Sequence, residues 1–555
     1  MRRLILILAA GCLCAANRPD LSGEWRLAPA RTRFANEPPK SKILQIDHRE
    51  PALVLTTVEE GRTTFHSTDG IERVNDLDGR PLRSIARWDE TTLELRASGK
   101  SEAGEIVRVD RYQLSSGGET LIQKRREGSA EGQEQELVYE RVPLKAGVAR
   151  VEITPSEFMP MYGYANRKCG PANGYHDALF AKALVLESAA VRMAIVTLDL
   201  GSMVSDRLRG EAAEKLKIPF LLLASSHTHS APFFLPPAVT PASALGPAPE
   251  GAPAFLDEVE RKVLDALGRA SESMFPARLR VAKGSARLGY NRLVAREHGR
   301  ARAVFDNLER VPYGPVDPEF DLLEVSDDRG SPRALLVHYA VHPVVLGPTN
   351  CKYSADFPGV MQASVESAVD GVQAMFVQGG AGDINPLFLG RSGKEEEDFA
   401  QVRRMGELLA AAVINTRSGL REVRGASQPL RAKSDVLRFA DRWENGRTHE
   451  VGITTVLIGR EIAIAAMPGE PLHRLQRRWK QEADVSTPLF YGYTYSSGGH
   501  WTGYIPDLRS AAYGGYGADS TTTRVEVGAG ETVLQRHLTN LFALRGFWRA
   551  SPGLP

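Results

Sequence analysis

The stretch Phe220-Leu-Leu-Leu-Ala-Ser-Ser-His-Thr-His-Ser-Ala-Pro232 carries an apolar run straight into two histidines, His227 and His229. Phe220–Ala224 reads as a buried strand. If the backbone stays extended beyond it, residues two apart point to one side, and the two imidazoles leave the strand end together. That arrangement suits a divalent metal such as zinc. It equally suits histidines held by hydrogen bonds or lying on the surface, so the surrounding chain has to decide.

Outward from this run, strands alternate with helical patterns. Val148–Ile153, Ala181–Leu186 and Met193–Leu198 read as strands, and Ser205–Leu216 as a helix. Pro236–Pro253 is rich in Pro and Ala and reads as a loop over the site. Helices are expected at Phe255–Ala270, Pro358–Val369 and Phe399–Arg417. Strands are expected at Arg333–Ala340, Met375–Gln378, Thr454–Leu457 and Ile462–Met467. This alternation predicts a layered α/β domain.

Residues 18–143 differ. Asp20-Leu-Ser-Gly-Glu-Trp25 opens a series of short β-rich runs: Lys42–Asp47, Ala52–Thr57, Thr63–Ser67, Ser84–Trp88, Thr91–Ala97, Ile106–Leu114 and Thr120–Arg125. Turn residues separate them, which predicts a small all-β barrel or sandwich, lipocalin-like in its opening. The boundary falls near Pro143-Leu-Lys-Ala-Gly147.

A chain of 555 residues exceeds one ordinary domain. Its 42% hydrophobic and 25% charged content are those of a soluble globular protein. A net charge of +1 supplies no global field for nucleic acid or an anionic membrane, so no nucleic-acid partner is expected. Arg2 and Arg3 precede the apolar run Leu4–Ala10, and residues 1–16 read as an export signal. Ala-Ala-Gly-Cys12 resembles a lipoprotein box, with Ala9 where Leu is usual, so the expected product is periplasmic or extracellular, either free or anchored through Cys12. No transmembrane segment is expected, since no other run reaches about 18 apolar residues. Cys169 and Cys351 either pair in an oxidising compartment or remain separate thiols.

Four further constellations follow in order. Leu335-Leu-Val-His-Tyr-Ala-Val-His-Pro343 ends a strand at His342, with His338 four residues earlier; a third metal ligand and a packed histidine are both open readings. Gln378-Gly-Gly-Ala-Gly-Asp-Ile-Asn-Pro386 puts Asp383 and Asn385 on a Gly-rich turn that lacks the dinucleotide spacing. Glu470, in Met467-Pro-Gly-Glu-Pro471, sits at a strand exit, as a ligand or as a residue favoured by a helix N-terminus. Tyr491-Gly-Tyr-Thr-Tyr495, Gly503-Tyr-Ile505 and Tyr513-Gly-Gly-Tyr516 form an aromatic, Gly-rich run that faces a ligand or packs a core.

This ordered set resembles the neutral/alkaline non-lysosomal ceramidase family over residues 146–548, with Tyr162-Gly-Tyr-Ala165, Gly174-Tyr-His-Asp177 and Gly289-Tyr-Asn-Arg292 adding to the match. The resemblance implies an exported, zinc-dependent hydrolase that cleaves the C–N amide bond of ceramide or a related small amphipathic N-acyl lipid, at a membrane surface if the substrate resides there. It implies His227, His229, His342, Glu470 and Tyr504 as the residues around one zinc, a second metal remaining open. Arg292 and Tyr513 match active-site positions. The family's catalytic serine is replaced by Asn385, which cannot act as a hydroxyl nucleophile; metal-activated water as nucleophile survives that change, and Asp383 is the alternative base or extra ligand. The family's C-terminal immunoglobulin-like domain is expected to be absent and the N-terminal β domain to be an addition. The same scaffold also admits a zinc esterase or phosphoesterase, and a degenerate, non-catalytic lipid- or glycan-binding protein.

Overall fold

The structure is a computed structural model, and it describes residues 18–35, 37–77, 80–101, 104–128, 132–234, 248–296, 299–424 and 428–547. The expected leader 1–16 with Cys12, and residues 236–247 of the expected loop, lie outside the described residues. The chain separates into two compact units, Met1–Leu144 with Ser188–Ala190 and Gly425–Pro429, and the remainder.

The first unit is one antiparallel sheet of ten strands. Its two end strands are Arg62–Ser67 and Arg73–Leu77, consecutive in sequence. A side chain, not a ladder, joins them: Asn75 Oδ1 accepts from Phe65 N (2.6 Å) and Asn75 Nδ2 donates to Phe65 O (2.9 Å). The sheet therefore nearly closes into a barrel around Trp25, Leu53, Leu93, Leu95, Leu121 and Leu137, all fully buried.

The second unit is richer in strands than the expected layered α/β domain. Its main sheet is mixed, running in order from Gln373–Gln378 through Pro332–Tyr339, Glu319–Asp327, Phe275–Ser285, Lys145–Glu152, Phe180–Glu187, Arg192–Leu198 and Phe220–Ser225 to Thr494–Tyr495. Within this order, parallel pairing joins Arg192–Leu198 to Phe220–Ser225 and Pro332–Tyr339 to Gln373–Gln378. Helices Asp206–Leu216 and Asp356–Ala368 lie in the two crossovers, and Ser205 Oγ caps the first by accepting from Leu208 N (2.9 Å). A separate four-stranded sheet, Leu430–Ala440, Thr448–Ile458, Ile462–Ala466 and Thr487–Tyr491, packs on helices His473–Glu482 and Ala529–Leu544.

The additional strands explain the difference from expectation. Phe275–Ser285 and Leu430–Ala440 alternate buried or half-buried with exposed side chains and carry Arg and Lys on the open face. Such strands lack the continuous apolar run that marks a buried one. The parallel pairs matter most for function, because ligands in open α/β sheets bind beyond the carboxyl ends of the strands, where connections diverge.

Candidate metal centre

Three strand ends converge. Phe220–Ser225 is buried along most of its length, and the chain beyond it is held by Ser226 N to Leu198 O (2.8 Å) and His227 N to Leu200 O (2.9 Å). His227 does not continue the strand: its φ is 69°. The left-handed region is costly for residues with Cβ and concentrates at functional sites. A turn, not strand alternation, therefore brings the two imidazoles together, with 3.3 Å between His229 Nε2 and His227 Nε2.

His342 follows strand Pro332–Tyr339. Its Nδ1 donates to Ala381 O (2.6 Å), and His227 Nδ1 donates to Gly201 O (2.6 Å). A carbonyl can only accept, so these bonds fix the proton on Nδ1 and leave both Nε2 lone pairs facing inward. Into the same point projects Glu470 Oε2, 3.2 Å from His342 Nε2 and 3.3 Å from His227 Nε2. One ligand atom from each of His227, His229 and His342 lies within 4.8 Å of the others. Acceptors packed against acceptors call for a cation, and imidazole nitrogens with a carboxylate oxygen form a donor set that fits zinc.

The electrostatics agree. Burial holds His229 well below the ordinary imidazole range, helped by His227 and His342. Burial and then Arg292 push His342 down to about 4. Burial works to raise the Glu470 carboxyl, but His227 and His342 outweigh it and hold it well below 4.5. Neutral His229 and His342 near an ionised Glu470 are protonation states that suit metal binding.

Tyr504 stands beside Glu470 as its register partner in a short parallel ladder. Arg292 Nη2 donates to Tyr504 Oη (2.8 Å) and Gly382 O (2.6 Å), and Nη1 to Asn385 Oδ1 (3.1 Å). The Arg292 Nε, also buried, has no hydrogen-bond partner. The guanidinium lies 5.1 Å from the Tyr516 ring and 5.5 Å from that of Tyr504. Tyr513 is not in this cluster. It is 39% exposed at the end of the short helix Leu508–Tyr513, with Arg509 over its ring, and Tyr516 occupies the place beside Arg292.

Asp383 is buried, but it is committed to His473. Its Oδ1 accepts from His473 N (2.9 Å), and its Oδ2 lies 2.6 Å from His473 Nδ1 and accepts from Asn291 Nδ2 (2.9 Å). His338 is also held elsewhere, between Asp321 Oδ2 (3.1 Å) and Phe490 O (2.7 Å).

Several residues without a sequence signal shape the site. Gln378 Nε2 donates to Ser226 O (3.1 Å) and Val341 O (2.9 Å), the carbonyls immediately before His227 and His342. Tyr493, at φ 54°, sets its ring 4.5 Å from that of His227. Tyr164 lies 4.9 Å from the His229 ring, and a Cβ on Gly163 would fall 2.2 Å from that ring, so only glycine fits there. Cys169 and Cys351 are joined as a disulfide. Two residues before Cys169, Arg167 donates to Asn350 O, the carbonyl before Cys351, and to His229 O (2.7 Å).

Residues 144–405 match the family described as neutral/alkaline non-lysosomal ceramidase, N-terminal. Among solved structures, neutral ceramidase from Pseudomonas aeruginosa is similar with a TM-score of 0.60 and 18% identity, over 75% of this chain and 76% of that one. A ceramidase complexed with C2 gives a TM-score of 0.60 at 17% identity, over 75% of this chain and 77% of that one. At these identities the structural likeness is one of fold.

Proposed function

Because residues 144–405 belong to the neutral/alkaline non-lysosomal ceramidase family, we propose that this chain is a zinc-dependent amidohydrolase that cleaves the N-acyl bond of ceramide or a related lipid. The observation that carries the reading is that His227 Nε2 and His342 Nε2 each lie within 3.3 Å of Glu470 Oε2. His229 and Tyr504 complete the set that would hold the ion. A zinc held by these residues would supply an activated water and a Lewis acid for the acyl carbonyl.

The chain's own groups divide the remaining work. Arg292 is a fixed cation whose free Nε–H can donate to charge developing on the carbonyl oxygen. His229, kept neutral by burial, keeps its Nε2 lone pair available to the ion. Asn385 accepts from Arg292 and orients it, which suits a mechanism without a hydroxyl nucleophile on that turn. Asp383 positions His473. The disulfide suits an oxidising compartment and so supports export. Among the described residues no helix is long and apolar enough to cross a membrane.

The test is release of fatty acid from a labelled short-chain ceramide, with bound metal measured on the same sample. Release that stops with a chelator and returns with zinc supports the reading. A zinc-loaded protein inactive on ceramide and on a panel of N-acyl lipids would sink it.

A further inference from the structure

Three segments of the second unit meet at Asp383. Its own Gly-rich turn supplies Ala381 O to His342 Nδ1 (2.6 Å) and Gly382 O to Arg292 Nη2 (2.6 Å). The Arg292 segment is bonded back to the turn: Arg292 N donates to Asp383 O (2.8 Å), and Asn291 Nδ2 donates to Asp383 Oδ2 (2.9 Å). The Glu470 segment is bonded to it as well. Gly382 N donates to Pro471 O (2.9 Å), and His473 N donates to Asp383 Oδ1 (2.9 Å). His473 lies three residues after Glu470 and 90 residues from Asp383.

The His473 side chain closes this junction, with Nδ1 2.6 Å from Asp383 Oδ2. Burial works to raise the Asp383 carboxyl, but His473 and the hydrogen bonds around it outweigh that and hold it below the ordinary carboxylate value. A carboxylate can only accept, so the shared proton sits on Nδ1. A buried carboxylate is tolerated when it is paired and hydrogen-bonded. Here the donors come from Asn291, beside Arg292, and from His473, close to Glu470. Asp383 also serves the helix His473–Glu482, whose N-cap residue Leu472 has no capping side chain. Its Oδ1 satisfies a free N–H at the positive end of that helix. The other ring nitrogen, His473 Nε2, is buried and has no hydrogen-bond partner, so Nδ1 is the atom through which this imidazole bonds.

We infer, on the zinc reading proposed above, that His473 is a positioning residue of the metal centre, and that its bond to Asp383 fixes Glu470 and Arg292 relative to each other. Glu470 is otherwise held by a ladder only two residues long, and the helix that begins at His473 anchors the chain just beyond it. Arg292 bonds Gly382 O through its guanidinium and Asp383 O through its main chain. Without the Nδ1–H, the buried carboxylate loses a donor and the turn or the helix has to shift to replace it. A shift of either reaches both Glu470 and Arg292. Metal affinity and transition-state stabilisation should therefore fall together, which lowers kcat more than it changes KM.

The experiment measures zinc affinity, by competition with a chromophoric chelator, for the full chain and for His473→Leu and His473→Asn. It adds kcat and KM on the lipid that wild type hydrolyses best. Leucine fills the space without a donor. The asparagine amide can stand in for Nδ1–H, and it sacrifices no other bond because Nε2 makes none. His473→Leu should bind zinc about 10–100-fold more weakly, the usual effect of losing an outer-shell partner, and lose kcat with KM nearly unchanged. His473→Asn should recover most of both. A folded His473→Leu that melts lower but keeps wild-type zinc affinity and kcat overturns the inference, and so does a His473→Asn as damaged as His473→Leu. Should His473→Leu fail to fold, Asp383→Asn, equal in size, weakens the same bond and should show the same joint loss; wild-type zinc affinity there overturns the inference. The zinc measurements need no substrate. A wild type that binds zinc but hydrolyses no lipid sinks the proposed function, while the zinc affinities of the variants still decide the role of His473.

Discussion

Glu470 and Tyr504 stand opposite each other in a parallel ladder only two residues long, with Pro471 and Ile505 as the second pair. Glu470 N donates to Gly503 O (2.9 Å), so each residue is fixed by the other's strand. Two groups of the candidate metal centre, 34 residues apart in sequence (504 − 470), are thus placed by one register. The ladder depends on Gly469, whose φ is 80° and where a Cβ would meet Gly503 O at 2.6 Å.

Gly469→Ala is therefore expected to strike stability and metal binding together. A non-glycine residue in this conformation costs about 1–3 kcal/mol before the clash is counted. The melting temperature should fall and bound zinc should drop below one per chain. An alanine variant with full metal content would show that the register is not what places Glu470.

Gln378 acts on the histidines through the backbone. Its amide joins the carbonyls of Ser226 and Val341. Gln378→Leu strands both, at about 1–3 kcal/mol per buried carbonyl, and frees the two histidine-bearing turns from each other. Zinc affinity should fall by about 10–100-fold, the usual effect of losing an outer-shell partner. Unchanged zinc affinity in a folded variant would reject this positioning role.

The contrast between Gln378 and the histidines explains what could be read from the sequence. Apolar runs such as Phe220–Ala224 and Leu335–Val337 announce strands buried on both faces, and the histidines after them stand out by chemistry. The family resemblance rested on their order, and the match over residues 144–405 agrees with it. Gln378 carries no comparable signal, because its role lies in which two carbonyls come within reach. The same holds for His227, whose left-handed φ is imposed by Leu200 and Gly201 from a neighbouring connection. Tyr516 and Tyr513 are indistinguishable in a Tyr-Gly-Gly-Tyr run; only the fold decides which meets Arg292. Strand Leu430–Ala440 escaped because exposed alternation diluted by Arg and Lys resembles a loop.

Reduction should reach the site through the Cys169–Cys351 bond. That bond closes a loop of 182 residues and ties together the segments carrying Arg167 and Asn350, both linked to the His229 turn. Loss of a disulfide typically costs about 2–4 kcal/mol, and the chain-entropy picture puts a loop of this length at about 5 kcal/mol. Cys351→Ser, or wild type under reductant, should melt lower and bind zinc more weakly. Equal melting curves with and without reductant would contradict this.

The protonated carboxyls of Asp356 and Asp199 stabilise the fold at low pH, and that contribution is lost as pH rises to about 7. Burial raises the Asp356 carboxyl to about 7, against hydrogen bonds from Phe357 N and Leu346 N, and burial raises Asp199 to about 6. An unfolded aspartate titrates near 3.9. The folded protein thus binds protons that the unfolded chain has released, and their contribution is complete below about pH 4 and lost as pH rises through 6 to 7. Below about pH 6.5 the buried neutral His342 and His537, held at about 4 and about 3, act in the opposite direction. The readout is therefore the melting temperature of wild type minus that of Asp356→Asn, which should shrink from pH 5 to 8. Asp356→Asn should melt lower throughout, since an amide N–H would face Leu346 N. A difference that stays constant would exclude Asp356 as its source.

Arg292 and Asn385 touch at 3.1 Å, yet their loss should differ sharply. If the nucleophile is a water, Asn385 only steadies the guanidinium, which keeps its bonds to Gly382 O and Tyr504 Oη without it. Asn385→Ala should then lower kcat by no more than about tenfold. Arg292→Ala removes a buried, preoriented cation from the place where charge develops, and losses of about 100–1000-fold in kcat accompany removal of one such donor. Lysine should not rescue it, because a point charge cannot reproduce three directed N–H bonds. Zinc content is the control: both variants should remain loaded, since neither side chain is among His227, His229, His342, Glu470 and Tyr504. Abolition of activity by Asn385→Ala, with zinc retained, would instead make that residue a direct participant and require a different account of the nucleophile.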